Sequence, residues 1–309
     1  MSLIGVHSRR AAYVALAGLT LVWGFNWIVM KAALANAHPL AFNMHRTWLA
    51  VFVLFAALVA RRGRFRPRNW RAVVITGLLQ TTLNMGATMM AVAGGGVGRT
   101  SVLVYTMPFW TLVIAWPVLH ERVKGAQRYA IAFAFTGLVL VVQPWAWQGD
   151  LGPKLWAVVS GFGWASGTVA MKYFQRERDF DMLSFMAWQM VIGVLPLTLL
   201  PWLFDVPATH WSIAHAGLLF FVGAIATAGG FLVWIEILRW LPAGTASLNL
   251  FAVPVIAILS SMAVFGERIT GVEWAGIAAI GVGLGLLTLQ AMAAKGKARG
   301  DDVLHAAGK

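Results

Sequence analysis

Apolar residues run along the chain in stretches of about twenty, separated by short polar or basic breaks, a spacing that matches helices crossing about 30 Å of hydrocarbon. In the first half the stretches fall at 11–35, 39–60, 70–93, 98–119 and 126–144, and in the second at 153–173, 181–203, 211–239, 243–265 and 271–292. Strands of a membrane barrel need only about ten residues each, so helices are implied. The pattern predicts an all-α, polytopic membrane protein with ten transmembrane helices. Connections are short, so consecutive helices should pack antiparallel.

Composition agrees. Of 309 residues, 60% are hydrophobic and 11% charged, against about 25% charged in an ordinary soluble domain. The formal charge of +13 sits between apolar stretches rather than on one solvated face among aromatics, which removes nucleic acid as a partner. With both termini cytoplasmic, the inner segments hold 19 of the 24 Lys and Arg, leaving Lys31, Arg46, Arg99, Lys154 and Arg268 outside. Basic loops are retained on the cytoplasmic side, and an odd span count would scramble this bias. The reading is a multi-pass protein of the cell inner (plasma) membrane with both termini cytoplasmic. Its basic start, apolar stretch and Ala33-Leu34-Ala35 outline a cleaved signal peptide, but the stretch is long for one. Its residues also recur in the second half, so it is read as the first span. With no cysteine, thiol and thiolate-metal chemistry are closed.

The recurrence is specific. Trp23 and Met30-Lys31 reappear 141 residues later as Trp164 and Met171-Lys172. Thr100-Ser101, Pro108 and Glu121-Arg122 precede Ala246-Ser247, Pro254 and Glu267-Arg268 by 146 residues, as Gly98 does Gly244 and Gly137 does Gly283. Five spans, an odd number, separate each residue from its counterpart, so the halves enter the membrane in opposite directions. The organisation expected is a first five-helix repeat over 1–147, a second, inverted one over 148–293, and a flexible cytoplasmic tail over 294–309. Inverted repeats are a recurrent basis for alternating access about a midplane site.

These residues resemble the EamA-type members of the drug/metabolite transporter superfamily. The likeness rests on Trp23-Gly24 with Lys31, on Pro108 followed by Glu121-Arg122, and on Arg46 in the second span. The second half departs from it, with Ala165 for Gly24 and, 143 residues on, Gln189 for Arg46. The resemblance implies export of amino acids or related metabolites, and the chain is most similar to the aromatic-amino-acid exporter branch.

Charges within spans are costly and face a cavity or a partner. His45, Arg46 and Glu236 are the deep ones. Arg46 suits either a substrate carboxylate or a clamp on helix-end carbonyls. Glu236 suits an i,i+3 pair with Arg239 or, if buried, a proton or a substrate ammonium; His45 suits titration near neutral pH or a structural hydrogen bond. Trp23, Trp164, Trp188 and Trp234, read as mid-span, with Gln80 and Asn84 on one face of the third span, are candidate walls of a substrate pocket or ordinary packing. Gln189 joins them as the counterpart of Arg46. Tyr105 and Asn249 stand just before Pro108 and Pro254, which are expected to kink their helices as paired gates or as static bends. Gly163 and Gly167 form a small-residue pair for close helix crossing.

No HExxH, GxSxG or P-loop occurs, and Glu121 and Glu267, at opposite membrane edges, are expected to cap helices or to pair with Arg122 and Arg268 rather than to catalyse. The function implied is a secondary transporter without cofactor or metal, whose partners are a small-molecule substrate and the bilayer. An intramembrane enzyme or a channel is the alternative.

Overall fold

The computed structural model describes residues 6–62, 64–95, 103–121, 125, 127–143, 145, 151–176, 181–250, 252–265, 270–272, 274–283 and 285–286. Among them every regular element is a helix. Ten segments follow the predicted stretches: α1 (Arg9–Ala33), α2 (Pro39–Ala60), α3 (Trp70–Thr76 through Asn84–Gly95), α4 (Met107–Leu119), α5 (Gln127–Val142), α6 (Gly152–Phe174), α7 (Met182–Leu203), α8 (Ile213–Trp240), α9 (Ala243–Asn249 and Ala252–Phe265) and α10 (Trp274–Gly283). Of these α1, α2, α7, α8 and α9 are by themselves long and apolar enough to cross a membrane. The tail over 294–309, and Arg99, Arg122, Glu267 and Arg268, lie outside the described residues.

Local sequence explains the helix starts. Ser8, Asn69, Asp181 and Ser212 accept a hydrogen bond from a first-turn N–H of α1, α3, α7 and α8, while Pro39 and Pro153 open α2 and α6 where no N–H is needed. Left-handed residues stop α2 at Arg62 (φ 50°) and α7 at Asp205 (φ 45°), 143 residues apart. The same turn thus ends corresponding helices.

Two helices contain a feature that hydropathy does not reveal. In α3, residues Gly77–Leu83 wind as a π-helix, and in α8 so do Phe221–Gly229. The glycines Gly77 and Gly223 are 146 residues apart. A Cβ on Gly77 would meet the Gln189 carbonyl oxygen at 2.6 Å and Ile192 at 3.3 Å; one on Gly223 would meet the Arg46 carbonyl at 2.9 Å and Leu49 at 2.9 Å. Gln189 and Ile192 are the counterparts of Arg46 and Leu49, 143 residues on. The π segment of each half therefore packs by its glycine on the second helix of the other half, in a reciprocal arrangement.

The chain forms two compact units, Met1–Glu121 with Gln148–Glu267 and Arg122–Trp147 with Arg268–Lys309. Each half supplies four helices to the first and its fifth to the second. In the second unit the reciprocity recurs. A Cβ on Gly137 of α5 would strike the Gly276 carbonyl at 2.5 Å and Ile280, and one on Gly283 of α10 the Ala130 carbonyl at 2.8 Å and Ala134. Position falls along α10 as it rises along α5, so the two run antiparallel. In the first unit, Val29, Met30, Ala33, Phe42, Met89 and Val222 close a buried apolar cluster at one end of α1, α2, α3 and α8, while Leu21, Phe52, Val59, Leu195, Leu199 and Trp202 stay exposed, as side chains facing lipid do.

Candidate functional site

The first helix of each half offers a face at i, i+3, i+4 and i+7: Trp23, Asn26, Trp27 and Met30 on α1, and Trp164, Gly167, Thr168 and Met171 on α6. The two leading tryptophans meet. Trp23 and Trp164 lie 5.1 Å apart between ring centroids, edge to face. A residue in contact with its own counterpart marks the axis relating the halves. Phe231 and Trp234 of α8 complete the cluster, at 6.5 and 5.9 Å from Trp23 and 5.6 and 5.7 Å from Trp164. Trp164, Phe231 and Trp234 are buried and Trp23 is half-buried.

Polar contacts around the cluster break its symmetry. Trp23 Nε1 donates to the Ala226 carbonyl in the π segment of α8 (2.9 Å), and Trp234 Nε1 to Thr168 Oγ1 (3.3 Å). Trp164 Nε1 has no hydrogen-bond partner, and neither does the amide of Gln80, the residue corresponding to Ala226. Gln80 lies instead against Gly167, whose hypothetical Cβ would sit 2.5 Å from Gln80 Oε1. Asn84 Nδ2 donates to Ser160 Oγ (2.9 Å) and its carbonyl oxygen (3.1 Å), and Ser160 Oγ also meets Thr88 Oγ1 at 2.6 Å. Gln80 and Asn84 thus do share a face, directed at α6. Gly163 and Gly167 are the groove that receives it.

Arg46 stands at the other end of the α1 face. Its guanidinium, 6% exposed, donates through Nε to Asn43 Oδ1 (2.9 Å) and through Nη1 to Met30 Sδ (3.5 Å). Asn26 Nδ2 donates to the same sulfur (3.3 Å). No carboxylate among the described residues forms an ion pair with Arg46. A buried cation held by an amide and a thioether alone is costly and suited to an incoming anion. Gln189, its counterpart, is fully buried and accepts from Thr81 Oγ1 (3.1 Å), leaving Nε2 unpartnered.

The remaining candidates are placed as follows. Tyr105 is buried and takes a hydrogen bond from Trp27 Nε1 (3.0 Å); Asn249 bonds within its own helix to the Thr245 carbonyl (2.8 Å). His45 lies in ring contact with Trp211 (5.2 Å), next to the fully buried His215, which composition alone does not single out. Glu236 is 1% exposed, pairs with Arg239 through Oε1 (3.3 Å), and keeps Oε2 unpartnered.

Two expectations change, and a third resolves between its alternatives. Trp188 is not mid-span: six residues into α7, about 9 Å from its start, it lies half-exposed against Phe55, Phe65 and Trp70, apart from the other tryptophans. Pro108 and Pro254 do not kink continuous helices, because each occupies the first turn of a new segment, where the missing N–H costs nothing. The interruption lies just upstream, at Tyr105-Thr106 and beyond Asn249, bridged by i to i−3 bonds such as Thr106 N–H to Leu103 (3.1 Å) and Leu250 N–H to Ser247 (3.0 Å). Glu121, expected to cap a helix or to pair with Arg122, which lies outside the described residues, turns back after the left-handed His120 (φ 57°) and takes the capping role. Its described partners are Lys172 (3.9 Å) and the Gly244 N–H (3.4 Å), while Lys172 also donates to the carbonyls of Leu238 (2.7 Å) and Leu241 at the end of α8.

This duplicated architecture has close parallels. The model of the EamA-like transporter family matches residues 10–143 and again 153–289. The chain belongs to the EamA-like transporter family. EamA-like relatives include the uncharacterized transporter YoaV of Bacillus subtilis (strain 168), 28% identical over 82% of this chain and 88% of its own length. YvbV of the same organism is also 28% identical, over 92% and 94%. A probable amino-acid metabolite efflux pump of Escherichia coli (strain K12) is 26% identical over 90% and 94%. A crystal structure of another protein, 18% identical, superposes with a TM-score of 0.77 over 92% of this chain and 99% of that one. The EamA chain is thus a multi-pass membrane protein with the ten-helix, two-repeat fold.

Proposed function

We propose that the protein is a secondary transporter that exports amino acids or related small metabolites across the inner membrane by alternating access, with both termini cytoplasmic. The observation that carries this reading is Arg46: a buried guanidinium of α2, without an ion pair among the described residues, held against Met30 on the face of α1 that also carries Trp23, where the two halves meet. A carboxylate entering there gains charge-assisted hydrogen bonds, and an apolar or aromatic side chain finds Trp23, Trp164, Phe231 and Trp234. The unpartnered N–H of Trp164, the amides of Gln80 and Gln189, and Glu236 Oε2 are polar groups that a substrate, or in the case of Glu236 a proton or an ammonium, would satisfy. The repeats, 1–147 and 148–293, would rock about the interruptions before Pro108 and Pro254. A relative named as a probable amino-acid metabolite efflux pump supports the substrate class. The absence of enzyme motifs and relatives that are named transporters favour a carrier over an enzyme.

Counterflow in proteoliposomes is the test. Labelled aromatic and aliphatic amino acids should show saturable uptake accelerated by unlabelled substrate on the far side, and Arg46→Ala should abolish it while leaving folding intact. Product formation would make the protein an enzyme, and conductance without saturation a channel. Either outcome removes the carrier reading.

A further inference from the structure

The break between α2 and α3, with the first turn of α3, carries Arg61, Arg62, Arg64, Arg66, Arg68 and Arg71 and no acidic residue. Its counterpart in the second half, 204–212 between α7 and α8, has no Lys or Arg. The two share the left-handed turn after the helix, at Arg62 and Asp205, so the fold at this position does not itself require arginine. The arginines of the first loop are, moreover, held on a fixed seat. The Phe65 carbonyl accepts from Trp188 Nε1 (2.6 Å) and Ser184 Oγ (3.4 Å), both on α7. Around it Phe55, Phe65, Trp70 and Trp188 stack with centroid separations of 5.3 to 6.4 Å. Pro67 is buried beneath, and Asn69 caps α3.

Arg62, Arg64, Arg66 and Arg71 are exposed and join no ion pair with a described carboxylate. The described acid at the start of α7, Asp181, is engaged in capping Ser184 N–H (3.2 Å). Phe65 and Trp70 are 53% and 46% exposed. Exposed aromatics at the end of a span settle at headgroup level, so the arginines beside them stand among the phosphates. A guanidinium fork matches two phosphate oxygens. Retention of a loop on one side of the membrane needs only charge in bulk, whereas a loop pinned by two side chains of another helix presents its charges in a fixed pattern.

We infer that this arginine loop, seated on the Phe55–Phe65–Trp70–Trp188 cluster, is a binding site for the headgroups of anionic phospholipids. The inference is independent of the transported substrate. Purified full-length protein in mild detergent is supplied with phosphatidylglycerol, phosphatidylcholine or inorganic phosphate. Retained lipid is counted by native mass spectrometry and the thermal midpoint is recorded. Phosphatidylglycerol should be retained and should raise the midpoint above that in phosphatidylcholine. The triple variant R64Q/R66Q/R71Q should lose that retention by about tenfold or more, and R64K/R66K/R71K should keep the larger part of it. Raising NaCl from about 0.1 to about 0.5 M should displace the lipid from the wild type. Equal retention by the glutamine variant, equal effects of the two lipids, indifference to salt, or a shift with inorganic phosphate as large as that with lipid would each overturn the assignment. Should the glutamine variant fail to fold, the salt and lipid comparisons on the wild type decide the matter alone.

Discussion

At the scale of single residues, Arg46 is the side chain whose surroundings least explain its presence. Asn43 and a methionine sulfur engage two of its donors, and one hydrogen bond to a charged group is worth about 1.5–3 kcal/mol. If a substrate carboxylate completes its shell with two such bonds, Arg46→Ala should depress transport at limiting substrate by about a hundredfold or more. Arg46→Lys restores the charge without the planar fork, and should recover transport only in part and with a raised KM; initial rates across a substrate series check both. Lys172 is a different case, since it satisfies the last carbonyls of α8 as well as Glu121. Lys172→Met takes this donor from those carbonyls and leaves the carboxylate only the Gly244 N–H, a loss of about 1–3 kcal/mol, seen as a lower thermal midpoint in detergent.

Among elements, the π segments of α3 and α8 are decisive. Their glycines permit close backbone contacts between halves, and a methyl group on either must displace a carbonyl. Gly77→Ala and Gly223→Ala should therefore each destabilise by about 1–3 kcal/mol. Gly18→Ala, where a Cβ would meet nothing within 4 Å, should be neutral or stabilise by about 0.5–1 kcal/mol; thermal midpoints of the three variants separate these outcomes. The element pattern shows what hydropathy can and cannot convey. The ends of α2 and α7 are legible within a residue because caps, prolines and polar breaks are written in the sequence. The π turns are not, since an extra residue in a helical turn leaves an apolar stretch apolar and Gly77 and Gly223 look like many other glycines. Pro108 and Pro254 are legible as marking an interruption but misleading about its place, as a proline begins a helix as readily as it bends one.

For the molecule as a whole, the repeat is readable because Trp23, Lys31 and their counterparts keep their spacing. The meeting of Trp23 with Trp164 is not, because contact across an axis leaves no periodic trace. Arg46 could be found as a deep charge, but its missing partner could be seen only in three dimensions. Antiparallel packing of α5 on α10 can be tested directly, since the chain has no native cysteine. A Cβ on Gly283 would lie 3.3 Å from that of Ala134, close to the separation a disulfide spans. Oxidised A134C/G283C should become inaccessible to maleimide reagents without loss of solubility, and persistent free thiols would argue against this packing.

The pairing of Arg46 with Gln189 across equivalent places has a consequence for direction. A carrier built from two identical halves would present the same doorway to either compartment. Here a carboxylate is offered a permanent cation by one half and only a neutral amide by the other. Half-saturation measured from the two sides of a sealed vesicle should consequently differ. Exchanging the pair, with glutamine at 46 and arginine at 189, should reverse the sense of that difference, turning the preferred entrance of the wild type into its less favoured one.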